Sequence, residues 1–149
     1  INHLLTENDC KTQPLNYTLF DYLDVGTGWQ IPAPVCQGDL VRISGSTIDY
    51  YKVSDDSPWI NVGGDIGNRA MGDEYPCTLE ECFVGALIVR FTDDVGNETI
   101  LSVGEELLFK APVHGKIEVQ INDATYYDNV YKQEGSLIHH TSIEYQGEG

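Results

Sequence analysis

Apolar residues in this 149-residue chain fall in short runs with alternation, and no long window carries them at helical spacing. The pattern predicts an all-β protein. Strands are expected at Tyr17–Val25, Asp39–Ser44, Gly85–Thr92, Glu98–Val103, Glu106–Lys110, Lys116–Ile121 and Leu137–Tyr145. Turn-forming chemistry separates them: Gly26-Thr27-Gly28, Gln37-Gly38-Asp39, Asp94-Val95-Gly96-Asn97 and Val113-His114-Gly115. In Lys116–Ile121 the odd positions are apolar and the even ones polar, which predicts one face in the core and the other in water. Seven or eight strands of this kind suggest an antiparallel β-sandwich.

Two stretches break the rhythm. Ser54–Cys77 runs through Asp55-Asp56, Pro58, Gly63-Gly64-Asp65, Gly67 and Gly72-Asp73-Glu74, and is poor in strand formers. A loop of that length inside a compact domain is usually functional or mobile. Asn122–Gly135 follows the clearest strand and sets Asp123, Asp128 and Asn129 among Tyr126, Tyr127 and Tyr131. Helical content is expected only as a short turn over Thr78–Phe83, with Thr78 as N-cap and Glu81 completing a capping box. No repeat or linker divides the chain, so residues 1–149 are read as a single domain.

Charge narrows the partners. Eight Lys and Arg against 24 Asp and Glu give a net charge of −16, which repels phosphate backbones and anionic leaflets. Nucleic acid is excluded on that ground, and cations are the expected ionic partners. No apolar run approaches the roughly 18 residues that span a bilayer, so no membrane insertion is expected. The chain begins at Ile1 and reads as a mature or excised piece.

The four cysteines, Cys10, Cys36, Cys77 and Cys82, form an even set without a CxxC pair, which favours two disulfides and an oxidising compartment. Cys77 and Cys82 are expected to pair, as are Cys10 and Cys36. Zinc is disfavoured, because Cys10 and Cys36 are too far apart to form half of a knuckle. The sequons Asn16-Tyr17-Thr18 and Asn97-Glu98-Thr99 would suit a eukaryotic secreted chain and decide nothing alone.

Enzyme signatures are absent: the chain has no GxSxG elbow, HExxH, GxGxxG or P-loop. His3, His114, His139 and His140 are scattered, and adjacent strand residues point to opposite faces, so His139 and His140 cannot serve one site. Calcium takes six to eight hard oxygens, and a loop leaving a strand can offer Asp and Asn side chains together with carbonyls. Asp123, Asp128 and Asn129 have that chemistry. They also suit an ordinary solvated acidic turn. The EF-hand pattern is not present.

A family resemblance adds to this. Gly38-Asp39-Leu40-Val41-Arg42-Ile43, then Tyr51, then Cys77-x4-Cys82 leading to Gly85-Ala86-Leu87, then Ala111-Pro112 leading through Gly115 to Ile121-Asn122-Asp123 resembles the bacterial calcium-dependent galactose lectins of the PA-IL (LecA-like) family. The similarity extends from about Trp29 onward, and leaves residues 1–28 as an N-terminal extension. It implies a jelly-roll sandwich of galactose-binding-domain type in which one calcium bridges the protein and two sugar hydroxyls. On this resemblance Tyr51 and Tyr127 would supply main-chain oxygens, and Asp123, Asp128 and Asn129 side-chain oxygens. The family's paired asparagines stand further from the aspartate than Asp128-Asn129 do here, and Gly135-Ser136 comes later. Its galactose-holding His and Gln fall near Ala70 and Asp73, where no histidine occurs and Asp73 can accept from a sugar hydroxyl.

The resulting expectation is a secreted or cell-surface, non-catalytic, lectin-like domain that binds a galactose-type glycan through calcium. Tyr51, Asp73, Asp123 and Asn129 would hold the sugar, and Tyr51, Asp123, Tyr127, Asp128 and Asn129 the metal. Copies in a homo-oligomer or in tandem would add avidity. The alternative is an adhesive or structural β-sandwich module that binds protein. On the lectin reading the two unusual loops meet at one end of the sandwich, with Asp123 as the pivot.

Overall fold

The computed structural model describes residues 16–23, 28–45, 50–54, 56–124, 130–131 and 139–146, with side chains for 28–45, 50–54 and 56–124. Ten strands occur: β1 (Asn16–Leu23), β2 (Gln30–Val35), β3 (Leu40–Gly45), β4 (Tyr51–Lys52), β5 (Leu87–Asp93), β6 (Glu98–Ser102), β7 (Glu106–Lys110), β8 (Gly115–Ile121), β9 (Val130–Tyr131) and β10 (His139–Gln146). Their order is β1-β10-β3-β7 in one sheet, β2-β8-β5-β6 in a second and β4-β9 in a short ribbon. Every ladder is antiparallel.

The core lies between the two larger sheets. Val41 and Ile43 of β3, with Leu107 and Phe109 of β7, face Leu87, Val89 and Phe91 of β5 and Ile117, Val119 and Ile121 of β8. Phe91 and Phe109 meet across the layers at a centroid distance of 5.2 Å in a tilted contact, an arrangement aromatic quadrupoles favour. The protein is therefore all-β and sandwich-like, as the alternation predicts.

Each strand expected from the sequence is present to within two residues at either end. Three were not legible there. β2 carries Pro32 and Pro34, which cannot donate to a ladder and argue against a central strand; it is an edge strand, where proline is tolerated. Its register to β8 shifts between Gln30 and Ala33, and in that irregularity Ile31 takes φ +55°, a rare conformation for a β-branched residue. β4 and β9 are two residues each, too short to leave a periodic signal.

The short turn expected over Thr78–Phe83 is present as a single turn, closed by Cys82 N–H donating to the Leu79 carbonyl at 2.9 Å, and no helix occurs among the described residues. One expectation is corrected: the outer face of β8 is not in water, since Glu118 and Gln120 are buried. The Cys77–Cys82 segment packs on that face over Ile88, flanked by Trp29 and Ile100. Glu118 tolerates burial because Arg90 Nη2 lies 2.7 Å from its Oε1 and Lys116 Nζ 3.6 Å away. Trp29 in turn covers the Arg90 guanidinium at 4.7 Å from its ring centroid.

Cys77 and Cys82 are bonded, as expected. Cys36 is also disulfide-bonded; Cys10, with which the sequence reading pairs it, lies outside the described residues.

Candidate functional site

The stretch 54–77 is long but stitched down. Ile60 exchanges both backbone hydrogen bonds with Tyr51 at 2.9 Å, Leu87 N–H donates to Val62, Asp65 N–H to Val84, Val84 N–H to Asn68 and Ala70 N–H to Cys82. Ile60, Val62, Ala70 and Cys77 sink into the protein. Four apolar anchors in an otherwise turn-rich sequence thus convert a long connection into a fixed wall.

The opposite wall is the end of β8. Asn122 is fully buried, and its carboxamide addresses the disulfide segment: Oδ1 accepts from Cys77 N–H at 3.0 Å, and Nδ2 donates to the carbonyls of Cys77 at 2.9 Å and Phe83 at 3.3 Å. Its backbone donates to Ala86 and accepts from Gly85. Every polar group of this buried residue is therefore engaged, as burial requires.

Between these walls lies a cleft of about 570 Å³. Val53 and Ser54 enter it just after β4, Asn68, Arg69, Met71 and Tyr75 come from the long stretch, and Val84, Asp123 and Ala124 complete it. The two unusual loops meet here, through the described part of the second one. Apolar surface alternates with hydroxyl, amide, guanidinium and carboxylate groups, a mixture suited to a small polar ligand with apolar faces.

Electrostatics within the cleft are asymmetric. Arg69 donates from Nε at 3.1 Å and from Nη2 at 2.7 Å to one acceptor, the Thr78 carbonyl, which fixes the plane of its guanidinium. Asp123 is only 5% exposed, and its Oδ1 accepts from Ala124 N–H at 2.8 Å. Burial raises the Tyr75 phenol above its ordinary pKa, and the negative charges of Asp123 and Glu74 raise it further. Tyr75 is thus a neutral hydroxyl beside a carboxylate, able to donate or accept.

Of the residues proposed from sequence, Asp123 lines the cleft. Tyr51 is fully buried beneath it, with its phenol oxygen 2.6 Å from the Gly85 carbonyl and 2.8 Å from that of Asn61. The Tyr51 main-chain oxygen accepts from Ile60, and its strand pairs with β9 at Tyr131. Asp73 is exposed at the turn that Tyr75 N–H closes onto Gly72, and is not among the cleft-lining residues. Tyr127, Asp128 and Asn129 lie outside the described residues. His114 has a structural task, its Nδ1 accepting from Gln37 N–H at 2.9 Å.

Arg69, Tyr75 and Asn122 were not singled out by sequence reasoning. Arg69 and Tyr75 sit in the stretch without periodicity, and Asn122 reads as the first residue of a turn. A usable signal for Asn122 was its position directly after a wholly apolar strand face and directly before the candidate Asp123.

Among the described residues no group of three or more His, Cys, Asp or Glu could hold a metal ion. No protein-family model, no curated protein and no solved structure matches the chain.

Proposed function

We propose that the cleft is a carbohydrate-binding site, calcium-dependent and non-catalytic, on a sandwich of jelly-roll, galactose-binding-domain type. The observation that carries the reading is the meeting of Asp123, Tyr75, Arg69, Asn68 and Ser54 in one cleft with the apolar surfaces of Val53 and Val84. A pyranose offers hydroxyls around its rim and C–H groups on its faces, and this lining answers both.

Calcium fits the donor chemistry in part. Asp123 supplies a hard anionic oxygen at the cleft wall, and on this reading the Tyr51 carbonyl, which also accepts from Ile60 N–H, would be a second donor. The remaining oxygens on this reading are those of Tyr127, Asp128 and Asn129. Calcium would bridge the protein to two sugar hydroxyls, while the chain's own groups orient the ring. Tyr75 and Asn68 can donate or accept, and Arg69 only donates. With a disulfide-bonded fold the protein belongs outside the reducing cytosol, as a secreted or surface module that gains avidity by oligomerisation or tandem copies.

A glycan array probed with multivalent protein, with and without chelator, tests the reading: chelator-sensitive retention supports it, and no retention with calcium present overturns it. The second reading, an adhesive module that binds protein, is favoured by Ile66 and Met71, which are 80% and 72% exposed on the same stretch. It predicts no glycan retained under either condition.

A further inference from the structure

Two oppositely charged side chains of the cleft come from distant parts of the chain, and one short segment touches the supports of both. Arg69 is held by the Thr78 carbonyl, inside the ring closed by Cys77 and Cys82, and its neighbour Ala70 donates to Cys82 at 3.0 Å. Asp123 follows Asn122, whose carboxamide grips both backbone edges of Cys77.

This disulfide spans a sequence separation of only 5, so it removes little loop-closure entropy from the unfolded chain. Its contribution is geometric. Thr78, Leu79, Glu80 and Glu81 are all exposed; Cys82 N–H donates to the Leu79 carbonyl within the ring, and covalent closure adds the constraint that holds this exposed turn, and with it the Thr78 carbonyl, in one orientation toward Arg69. The core between the two sheets, from Val41 to Ile121, is built from other residues.

We infer that the Cys77–Cys82 ring is the positioning element for Arg69 in the cleft: it aims the Thr78 carbonyl at the guanidinium, so that opening it releases Arg69, while Asp123, whose neighbour Asn122 is held by backbone bonds to Ala86 and Gly85, stays in place and the two sheets remain folded. The inference rests on the cleft being the ligand site only for its functional meaning. Its test uses no ligand, so its failure is distinguishable from failure of the glycan reading.

The experiment compares the full chain with the Cys77→Ala/Cys82→Ala variant by NMR. The Arg69 Nε–H resonance, assigned by its loss in Arg69→Lys, is expected to exchange about tenfold faster or more in the variant. Amides of β5 and β8, and that of Gly85 bonded to Asn122, keep their protection. Unchanged Arg69 exchange overturns the inference, and so does a variant that loses β5 and β8 protection. In the wild-type chain, native-state exchange gives a second measurement: the amides of Ala70 and Cys82 should open as one unit below the global transition, and independent opening of Ala70 would count against a shared anchor.

Discussion

The carboxamide of Asn122 pairs with the backbone of Cys77 as a neighbouring strand would, accepting from its N–H at 3.0 Å and donating to its carbonyl at 2.9 Å. One side chain thereby extends the reach of β8 to the segment that covers its outer face. Asn122→Ala leaves both Cys77 groups buried without those partners, at about 1–3 kcal/mol for each unsatisfied group. Urea unfolding should show a loss of about 2–6 kcal/mol with an unchanged slope. A loss within 0.5 kcal/mol, in the range of ordinary surface changes, would remove this bond pair from the fold's important contacts.

Gly85 links the core to the cleft, donating to the Asn122 carbonyl and lying under the Tyr51 phenol. Its φ is +80°, and an added Cβ would collide with Cδ1 of Ile60 and approach Val53 Cγ1 at 3.1 Å. Gly85→Ala should therefore cost about 1–2 kcal/mol for the backbone and about 1–3 kcal/mol for overpacking. Gly67, at φ +87° with nothing within 4 Å of its Cβ position, isolates the first of these costs. Thermal unfolding of the two variants side by side should rank Gly85→Ala clearly below Gly67→Ala.

Glu118 and Arg90 form a pair that is worth more intact than its net contribution. Glu118→Leu alone strands Arg90 under Trp29 with only the more exposed Glu98 at 3.3 Å, a loss of about 1–3 kcal/mol after discounting for that second partner. Replacing both charges, Arg90→Met with Glu118→Leu, should restore most of the stability. A double variant as unstable as the single one would contradict this account.

Tyr75 sets a pH dependence. Its folded-state pKa is raised by burial and then by Asp123 and Glu74, so the unfolded chain ionises first on the alkaline side. The contribution is fully present below the ordinary tyrosine pKa of about 10 and is lost as pH rises through the folded value. Tyr75→Phe should flatten the alkaline fall in stability, and Asp123→Asn should lower the Tyr75 midpoint seen by NMR titration. A midpoint indifferent to Asp123→Asn would show that the carboxylate does not face the phenol.

Calcium linkage offers a direct check on the proposed function. At a hundredfold excess over the dissociation constant, bound calcium adds about 2.7 kcal/mol to stability. The melting temperature should rise in millimolar calcium, fall back with chelator and become insensitive to both in Asp123→Ala. In the same series Asp123→Ala should abolish glycan retention, and Asp73→Ala, at an exposed turn that does not line the cleft, should leave both retention and the calcium response unchanged. Wild-type melting that ignores calcium and chelator would remove calcium from the reading.

Strand positions were legible in the sequence wherever one face meets the core. Val41 and Ile43 alternate with Arg42, and Ile117, Val119 and Ile121 with Glu118 and Gln120, because successive side chains point to opposite faces of a sheet. Alternation reports which residues are apolar, however, not what covers the polar face. Glu118 and Gln120 lie on a face covered by the Cys77–Cys82 segment, which packs on Ile88 beside Gln120, and by Arg90 under Trp29, which pairs with Glu118, contacts with no local trace.

The candidate site divides in the same way. Asp123 was identifiable as an acid placed where the clearest strand ends, and the even number of cysteines favoured disulfides, with Cys77–Cys82 the expected pair that the structure bonds. Arg69, Tyr75 and Asn122 became functional candidates only through long-range packing. Ile60, Val62 and Ala70 pin an aperiodic stretch against the sheet, and that pinning brings Arg69 and Tyr75 opposite Asp123. Local order here was written in side-chain periodicity, which nearest neighbours along a strand enforce. The cleft was decided by the tertiary structure, because its walls are set by hydrogen bonds such as Asn122 to Cys77 across 45 positions, whose partners only the folded core brings within reach.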